Sequence, residues 1–240
     1  MFSGSIVAMI TPFDENNRVD EEGIKKLVEF HINNGTDGIV PCGTTGESPT
    51  LSHEEHNKVV EITVKAAAGR IPVIAGTGSN STAEALDLTA NAKEVGADAV
   101  LLVIPYYNKP TQKGLYLHFK TIAEQVDIPG IIYNIPSRAG VNLLPSTLAE
   151  LATLKNVVGV KEASGNLEQM AEIRHLCGDK ITLLSGDDKI ILPVLSIGGK
   201  GVISVVANII PEAVSTMVKK YLEGDVTEAL AIFQNTVYPL

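Results

Sequence analysis

The sequence has no tryptophan, only two cysteines among 240 residues, and too few basic side chains: 19 Lys and Arg stand against 28 Asp and Glu, a formal net charge of −9. Each shortage excludes a class of function. Excess negative charge repels phosphate backbones and anionic headgroups, so nucleic acid and the membrane surface are not expected partners. Cys42 and Cys177 lie far apart without a CxxC partner, which suits a reducing compartment and carries no disulfide framework. The longest apolar runs, such as Ala99 to Pro105 and Ile190 to Ile197, fall far short of the roughly 20 residues of a membrane helix. Met1 to Ile10 has neither a basic segment nor a small-residue cleavage site, and reads as mature cytoplasmic sequence. What remains is ordinary globular composition, 45% hydrophobic and 20% charged. A chain of this size buries roughly 70 to 75% of its unfolded surface and needs no metal or disulfide staple.

Short apolar runs begin near Ser5, Gly38, Val73, Ala99, Gly130, Val157, Ile181 and Gly201. Each is continuous rather than alternating, the pattern of strands buried on both faces. Their spacing leaves room for one helix between successive strands. Ser52 with Glu55 and Ser81 with Glu84 predict capping boxes, and Asn166 with Gln169 a similar start. Gly35, Gly69, Gly96 and Gly178 fall where helices would end. Alternating strand and helix gives a closed barrel or an open doubly wound sheet. The segment Gly76 to Ser81 begins like a dinucleotide fingerprint but has Ser81 where a third Gly or Ala belongs. Eight units therefore favour a (β/α)8 TIM barrel over residues 1–223. Pro211 to Glu223 and Val226 to Phe233 read as two further helices joined at Gly224-Asp225; the first closes the barrel, and residues 224–240 read as the start of a helical extension.

Barrel chemistry sits at the carboxyl ends of strands. Among the fifteen lysines, Lys161 alone closes an apolar strand there. Burial can lower a lysine pKa by up to about 3 to 5 units, giving the free amine that attacks a ketone; a lysine snorkelling to water is the alternative. Tyr133 ends the adjacent strand and can shuttle protons, or pack as a core tyrosine. Gly43-Thr44-Thr45-Gly46 is a turn whose backbone N–H groups can approach a carboxylate. Arg138, one of four arginines, offers a fork for a second carboxylate, or is a solvated surface arginine. Tyr106 and Tyr107 follow the fourth strand, where aromatics pack more often than they catalyse. His53-Glu-Glu-His56 imitates a zincin motif, but its histidines are three apart rather than four, so no metal or cofactor is expected.

The segments Gly38-Ile-Val-Pro-Cys-Gly-Thr-Thr-Gly-Glu47, Tyr133-Asn-Ile-Pro-Ser-Arg138 and Val160-Lys-Glu-Ala-Ser-Gly165 resemble the dihydrodipicolinate synthase branch of the N-acetylneuraminate lyase family, the pyruvate-dependent Schiff-base aldolases. The resemblance runs from Gly4 to about Asn208, with Ala139 where the synthases usually carry Thr. It implies that Lys161 forms an imine with pyruvate and that Tyr133, Thr44 and Tyr107 form a proton relay, Tyr107 reaching in from a neighbouring subunit. Thr45 would hold the pyruvate carboxylate, Arg138 the carboxylate of aspartate semialdehyde, and Gly186 with the Ile203 carbonyl would line the site. The implied product is 4-hydroxy-tetrahydrodipicolinate, on the route to diaminopimelate and lysine. The implied assembly is a homo-oligomer, a dimer or a tetramer of paired dimers. The family also continues into a fuller helical C-terminal domain, so residues 224–240 are expected to be its truncated beginning.

Ser48, His53, His56, Asn80, Glu84 and Tyr106 match the lysine-binding set of family members that lysine inhibits. Glu84 could pair the ligand's ammonium while the Tyr106 phenol and Asn80 amide hold its carboxylate; two solvated helix ends are the alternative. Tyr106 beside Tyr107 offers a route for coupling to the active site. Two rival functions stand beside the synthase: another aldolase of the family, cleaving N-acetylneuraminate, a 2-keto-3-deoxy sugar acid or 4-hydroxy-2-oxoglutarate, and a catalytically silent barrel that binds a keto acid or amino acid.

Overall fold

Strand and helix alternate along the computed structural model, which describes residues 2–240; Met1, where the N-terminal reading begins, lies outside the described residues. The first half carries β1 (Gly4–Ala8), β2 (Gly38–Val40), β3 (Ile74–Gly76) and β4 (Ala99–Val103). The second carries β5 (Gly130–Asn134), β6 (Val157–Glu162), β7 (Thr182–Ser185) and β8 (Gly201–Ser204). Every strand begins within one residue of an expected start. β2, β3, β5, β7 and β8 are buried at every position, which is why their sequences are unbroken apolar runs.

Between strands lie α1 (Glu21–Asn33), α2 (His53–Ala67), α3 (Thr82–Glu94) and α4 (Gln112–Gln125), then the short α5 (Pro136–Ala139) with α6 (Pro145–Leu151). α7 (Leu167–Cys177) and α8 (Ile191–Ser196) follow, and α9 (Pro211–Leu222) and α10 (Val226–Ile232) come after β8. The Ser52 cap is the reciprocal box expected, Glu55 returning a bond to the Ser52 backbone. At α3 the box is half formed: Ser81 accepts from the Glu84 N–H, but the Glu84 side chain turns away to His53 and Ser79. Asn166 likewise caps the Gln169 N–H, while the Gln169 amide reaches into a buried network. In both cases partners across a loop outcompete the local N–H. Gly35, Gly69, Gly96 and Gly178 all take positive φ, and Ala68 already turns left-handed ahead of Gly69.

The strands are parallel in the order β2-β1-β8-β7-β6-β5-β4-β3. A parallel bridge between Ile39 and Val73 joins the two edges, and the Gly76 N–H donates to the Pro41 carbonyl at 2.9 Å. The barrel is closed. Gly76, which in sequence opens a phosphate-loop-like segment, serves that closure: any side chain there would run into the Cys42 carbonyl. Inside, Ile6, Val40, Ile74, Leu101, Ile131 and Ile203 point inward from alternating strand positions and pack as one cluster. A larger apolar layer fills the space between strands and helices, each fully buried aliphatic side chain contributing about 1.5 to 3 kcal/mol. α9 packs against β1, with Ala229 and Val237 from the following turns buried in that outer layer. Among the described residues no helix is long and apolar enough to cross a membrane.

Candidate active site

β5 and β6 run in register, with Tyr133 opposite Lys161 and Asn134 opposite Glu162. Alternation of side chains turns the first pair into the barrel and the second out of it. Lys161 is only 5% exposed, and its Nζ lies 4.2 Å from the centroid of the Tyr133 ring. Burial pushes its amine down to about 8; the Asp188 carboxylate opposes that shift and the Arg138 guanidinium assists it. A pKa of about 8 leaves roughly a fifth of the side chain as free amine near pH 7.4, against about 0.1% for an ordinary lysine. Gly186 crosses the lysine stem: its N–H donates to the Glu162 carbonyl at 2.8 Å, and a Cβ there would stand 3.1 Å from both Cγ and Cε of Lys161. Ile203 is fully buried in the same interior.

Tyr133 links the lysine to open space. Its phenol pKa is raised by burial, against the polar influence of the Thr44 side chain and the charge of Arg138. A cavity of about 250 Å³ lies at this end of the barrel, lined among others by Gly43, Thr44, Tyr106, Tyr133 and Arg138. Lys161, Gly186 and Ile203 are not in its lining; Lys161 meets it through the Tyr133 ring. Thr45 is half-buried and also outside the lining. Among the described residues the N–H groups of Gly43, Thr44 and Thr45 donate to no protein acceptor, which leaves the turn free to hold an anion. The loops here are strained: Cys42 and Glu47 flank the turn with φ of 54° and 59°, and Tyr107 and Lys109 follow β4 with φ of 72° and 47°. Left-handed backbone at non-glycine residues gathers at functional loops.

Two groups escaped the sequence reading. Asp188, just past the end of β7, acts on Lys161 through its charge; an acidic residue in a loop on the catalytic face was the available signal. Behind the inward pair, Glu162 accepts from Asn134 at 2.9 Å and from the Ser164 N–H at 2.8 Å, and Asn142 and Gln169 extend the network. Burial raises the Glu162 pKa, against those donors.

The six residues of the second set are divided. His53 Nε2 lies 2.7 Å from Glu84 Oε1, and Ser79 donates to the same carboxylate, whose pKa is lowered first by that Ser79 bond and further by His53. Asn80 Nδ2 donates to the Tyr106 carbonyl at 3.2 Å, and Ser48 and Tyr106 line the cavity just described. His56, three residues after His53 on α2, faces inward. It is buried, its Nε2 lies 2.7 Å from the Gly76 carbonyl and its Nδ1 has no partner among the described residues. The zincin-like pair thus splits between a surface hydrogen bond to Glu84 and the barrel wall. Tyr107, the neighbour of Tyr106, is 88% exposed.

The comparison with known proteins agrees across the whole chain. A model of the dihydrodipicolinate synthetase family matches residues 1–240. The 4-hydroxy-tetrahydrodipicolinate synthase of Syntrophus aciditrophicus is 58% identical over 237 residues, covering 99% of this chain and 81% of that protein. The structure of the Acinetobacter baumannii dihydrodipicolinate synthase complexed with pyruvate is 46% identical with a TM-score of 0.95, covering 98% of this chain and 80% of that one. That of the Cyanidioschyzon merolae enzyme with lysine bound is 42% identical with a TM-score of 0.94, covering 97% and 80%.

Proposed function

This chain belongs to the dihydrodipicolinate synthetase family, and from that premise we propose how its residues divide one reaction, the condensation of pyruvate with L-aspartate 4-semialdehyde to 4-hydroxy-tetrahydrodipicolinate. The free amine of Lys161 attacks C2 of pyruvate, whose carboxylate rests on the N–H groups of the Thr44-Thr45 turn. Tyr133 gives a proton to the hydroxyl of the resulting carbinolamine, which leaves as water, and a cationic iminium remains. The Tyr133 phenolate then takes a C3 proton, and the resulting enamine forms a carbon–carbon bond to the semialdehyde's aldehyde carbon. Tyr133, linked to Thr44 and to Tyr107 of a neighbouring subunit, delivers the proton that the new alkoxide takes up. Arg138 holds the semialdehyde carboxylate. The semialdehyde's own amine finally displaces the Lys161 nitrogen from C2, closing the ring and returning the free lysine.

The observation that carries this reading is the buried Lys161, its amine pushed down to about 8 against the ring of a phenol that also lines a cavity. The sugar-acid aldolases give a weaker account of the chain, because the relative at 58% identity is named as a synthase and Arg138 reaches the cavity. Residues 1–223 form the catalytic barrel in this reading, residues 224–240 a helical extension, and the assembly is a dimer or a tetramer of paired dimers. L-lysine is its inhibitor, bound by Ser48, His53, Asn80, Glu84 and Tyr106 with His56 beneath; the lysine-bound relative supports that assignment. The test is reduction with borohydride in the presence of pyruvate, followed by peptide mass mapping. A pyruvate-derived adduct at Lys161 is expected, and its absence rejects the reaction.

A further inference from the structure

Asp188 opens a short turn, Asp188–Ile190, that follows β7. Its Oδ2 accepts the N–H groups of Val205 and Val206 at 2.9 and 3.2 Å, the first residues beyond β8. Its Oδ1 is buried and has no partner among the described residues. A buried carboxylate oxygen without a donor is costly to keep, so the position calls for a reason beyond tying down a loop. The groups around Lys161 supply one. Tyr133 faces it from β5 as a neutral phenol, and Arg138 faces it from α5 as a cation. Glu162, next along β6, is engaged by Asn134, Ser164 and Gln169. Asp188 lies two residues beyond Gly186, which packs against the Lys161 stem, and its carboxylate acts on the amine against burial.

We propose that Asp188 is a positioning residue with two tasks: Oδ2 fixes the end of β8, where Ile203 borders the site, and the charge left unneutralised on Oδ1 supports the cationic iminium at Lys161. This rests on the imine reading above. The charge holds some of the resting lysine protonated, but it favours the iminium as well, and a fixed charge of this kind needs no reorganisation as the cation forms.

Asp188→Asn separates the two tasks, since a carboxamide oxygen can still accept both N–H groups while the charge is gone. The readout is the rate of borohydride-trapped pyruvate adduct at Lys161 as a function of pH, with melting temperature alongside. Without the carboxylate the amine deprotonates at lower pH, so the rising limb of the profile should move down by about half a unit or more. The plateau rate should fall about tenfold, and Asp188→Glu should restore the wild-type midpoint. If the carboxamide variant does not fold, Asp188→Ser, which keeps an oxygen acceptor without charge, is read in its place. An unchanged midpoint in a folded charge-free variant overturns the inference alone. Absence of the adduct in the wild-type protein overturns the reaction and the inference together.

Discussion

Lys161 and Tyr133 are register partners on adjacent strands, and the lysine nitrogen stands 4.2 Å from the centre of the phenol ring. The ring favours an ammonium by cation–π attraction, while burial favours the free amine, and burial wins because the pKa still falls to about 8. Tyr133→Phe keeps the ring and removes only the hydroxyl, whose pKa the Thr44 side chain helps to hold down. Turnover should drop by about 10² to 10⁴, with the pyruvate imine still trapped at Lys161. A variant that turns over normally would remove Tyr133 from the relay.

Gly186 is a test of how closely the lysine stem is held. An added Cβ would lie 2.7 Å from the Ala163 Cβ and 3.1 Å from two carbons of Lys161. Overpacking of this kind costs about 1 to 3 kcal/mol, and the mobile partner is the lysine stem, so the amine should be displaced. Gly186→Ala is expected to slow imine formation by tenfold or more, with a fall of only about 2 to 12 °C in melting temperature. Unaltered imine kinetics would place Gly186 outside the site.

The strands were legible because each is buried on both faces, so a run such as Gly130-Ile-Ile132 has no polar position to blur it. Lys161 and Tyr133 were legible for the same reason, as polar residues that end such runs. Asp188 was not, because a carboxylate in a loop looks solvated until folding brings Val205 and Val206 to it. The inward turn of His56 was not legible for a related cause: sequence places it one helical turn from His53, but the Gly76 carbonyl on the barrel wall meets its ring. Sequence spacing describes a helix's own faces and not which of them meets the barrel.

The proposed lysine site has a defined chemical starting point. The Glu84 carboxylate already takes a bond from Ser79 and pairs with His53, and its lowered pKa keeps it ionised, ready to add an ammonium. Glu84→Ala should raise the lysine concentration for half-inhibition by at least about tenfold, the usual worth of a charge-assisted contact. Equal inhibition curves for the two proteins would remove the site.

Acid should destabilise the fold through two histidines. Burial lowers His31 and His118 to about 4, and each has a ring nitrogen without a partner among the described residues. In the unfolded chain they take up protons near pH 6.5 and in the folded chain only near 4, so the unfolded state binds more protons between those values. Their contribution is complete above about pH 6.5 and is lost as pH falls toward 4, by about 1 to 3 kcal/mol each. Glu162, whose pKa is raised by burial, acts in the opposite sense and offsets part of the loss. Urea midpoints at pH 7 and pH 5 should differ less in His118→Gln than in the wild-type protein; equal differences would show that His118 does not drive the acid sensitivity.

Tyr107 combines 88% exposure with a left-handed backbone at φ 72°, a conformation that costs a non-glycine residue about 1 to 2 kcal/mol. An exposed aromatic held out at that cost is explained if the phenol works in another subunit's site, and complementation separates this from a role in its own chain. Tyr107→Phe and Lys161→Ala homo-oligomers should each be nearly inactive. In a mixed pair, the site built on the Tyr107→Phe chain keeps its own lysine and receives an intact Tyr107 from its partner. Random exchange makes half the pairs mixed and gives each one working site of two, so about a quarter of wild-type activity should return after mixing and reassembly. If Tyr107 instead served its own chain, the mixed pair would contain no complete site, and no activity would return. Mass spectrometry of the intact assemblies, run beside the assay, confirms that mixed pairs formed and so makes a silent mixture decisive against the shared site.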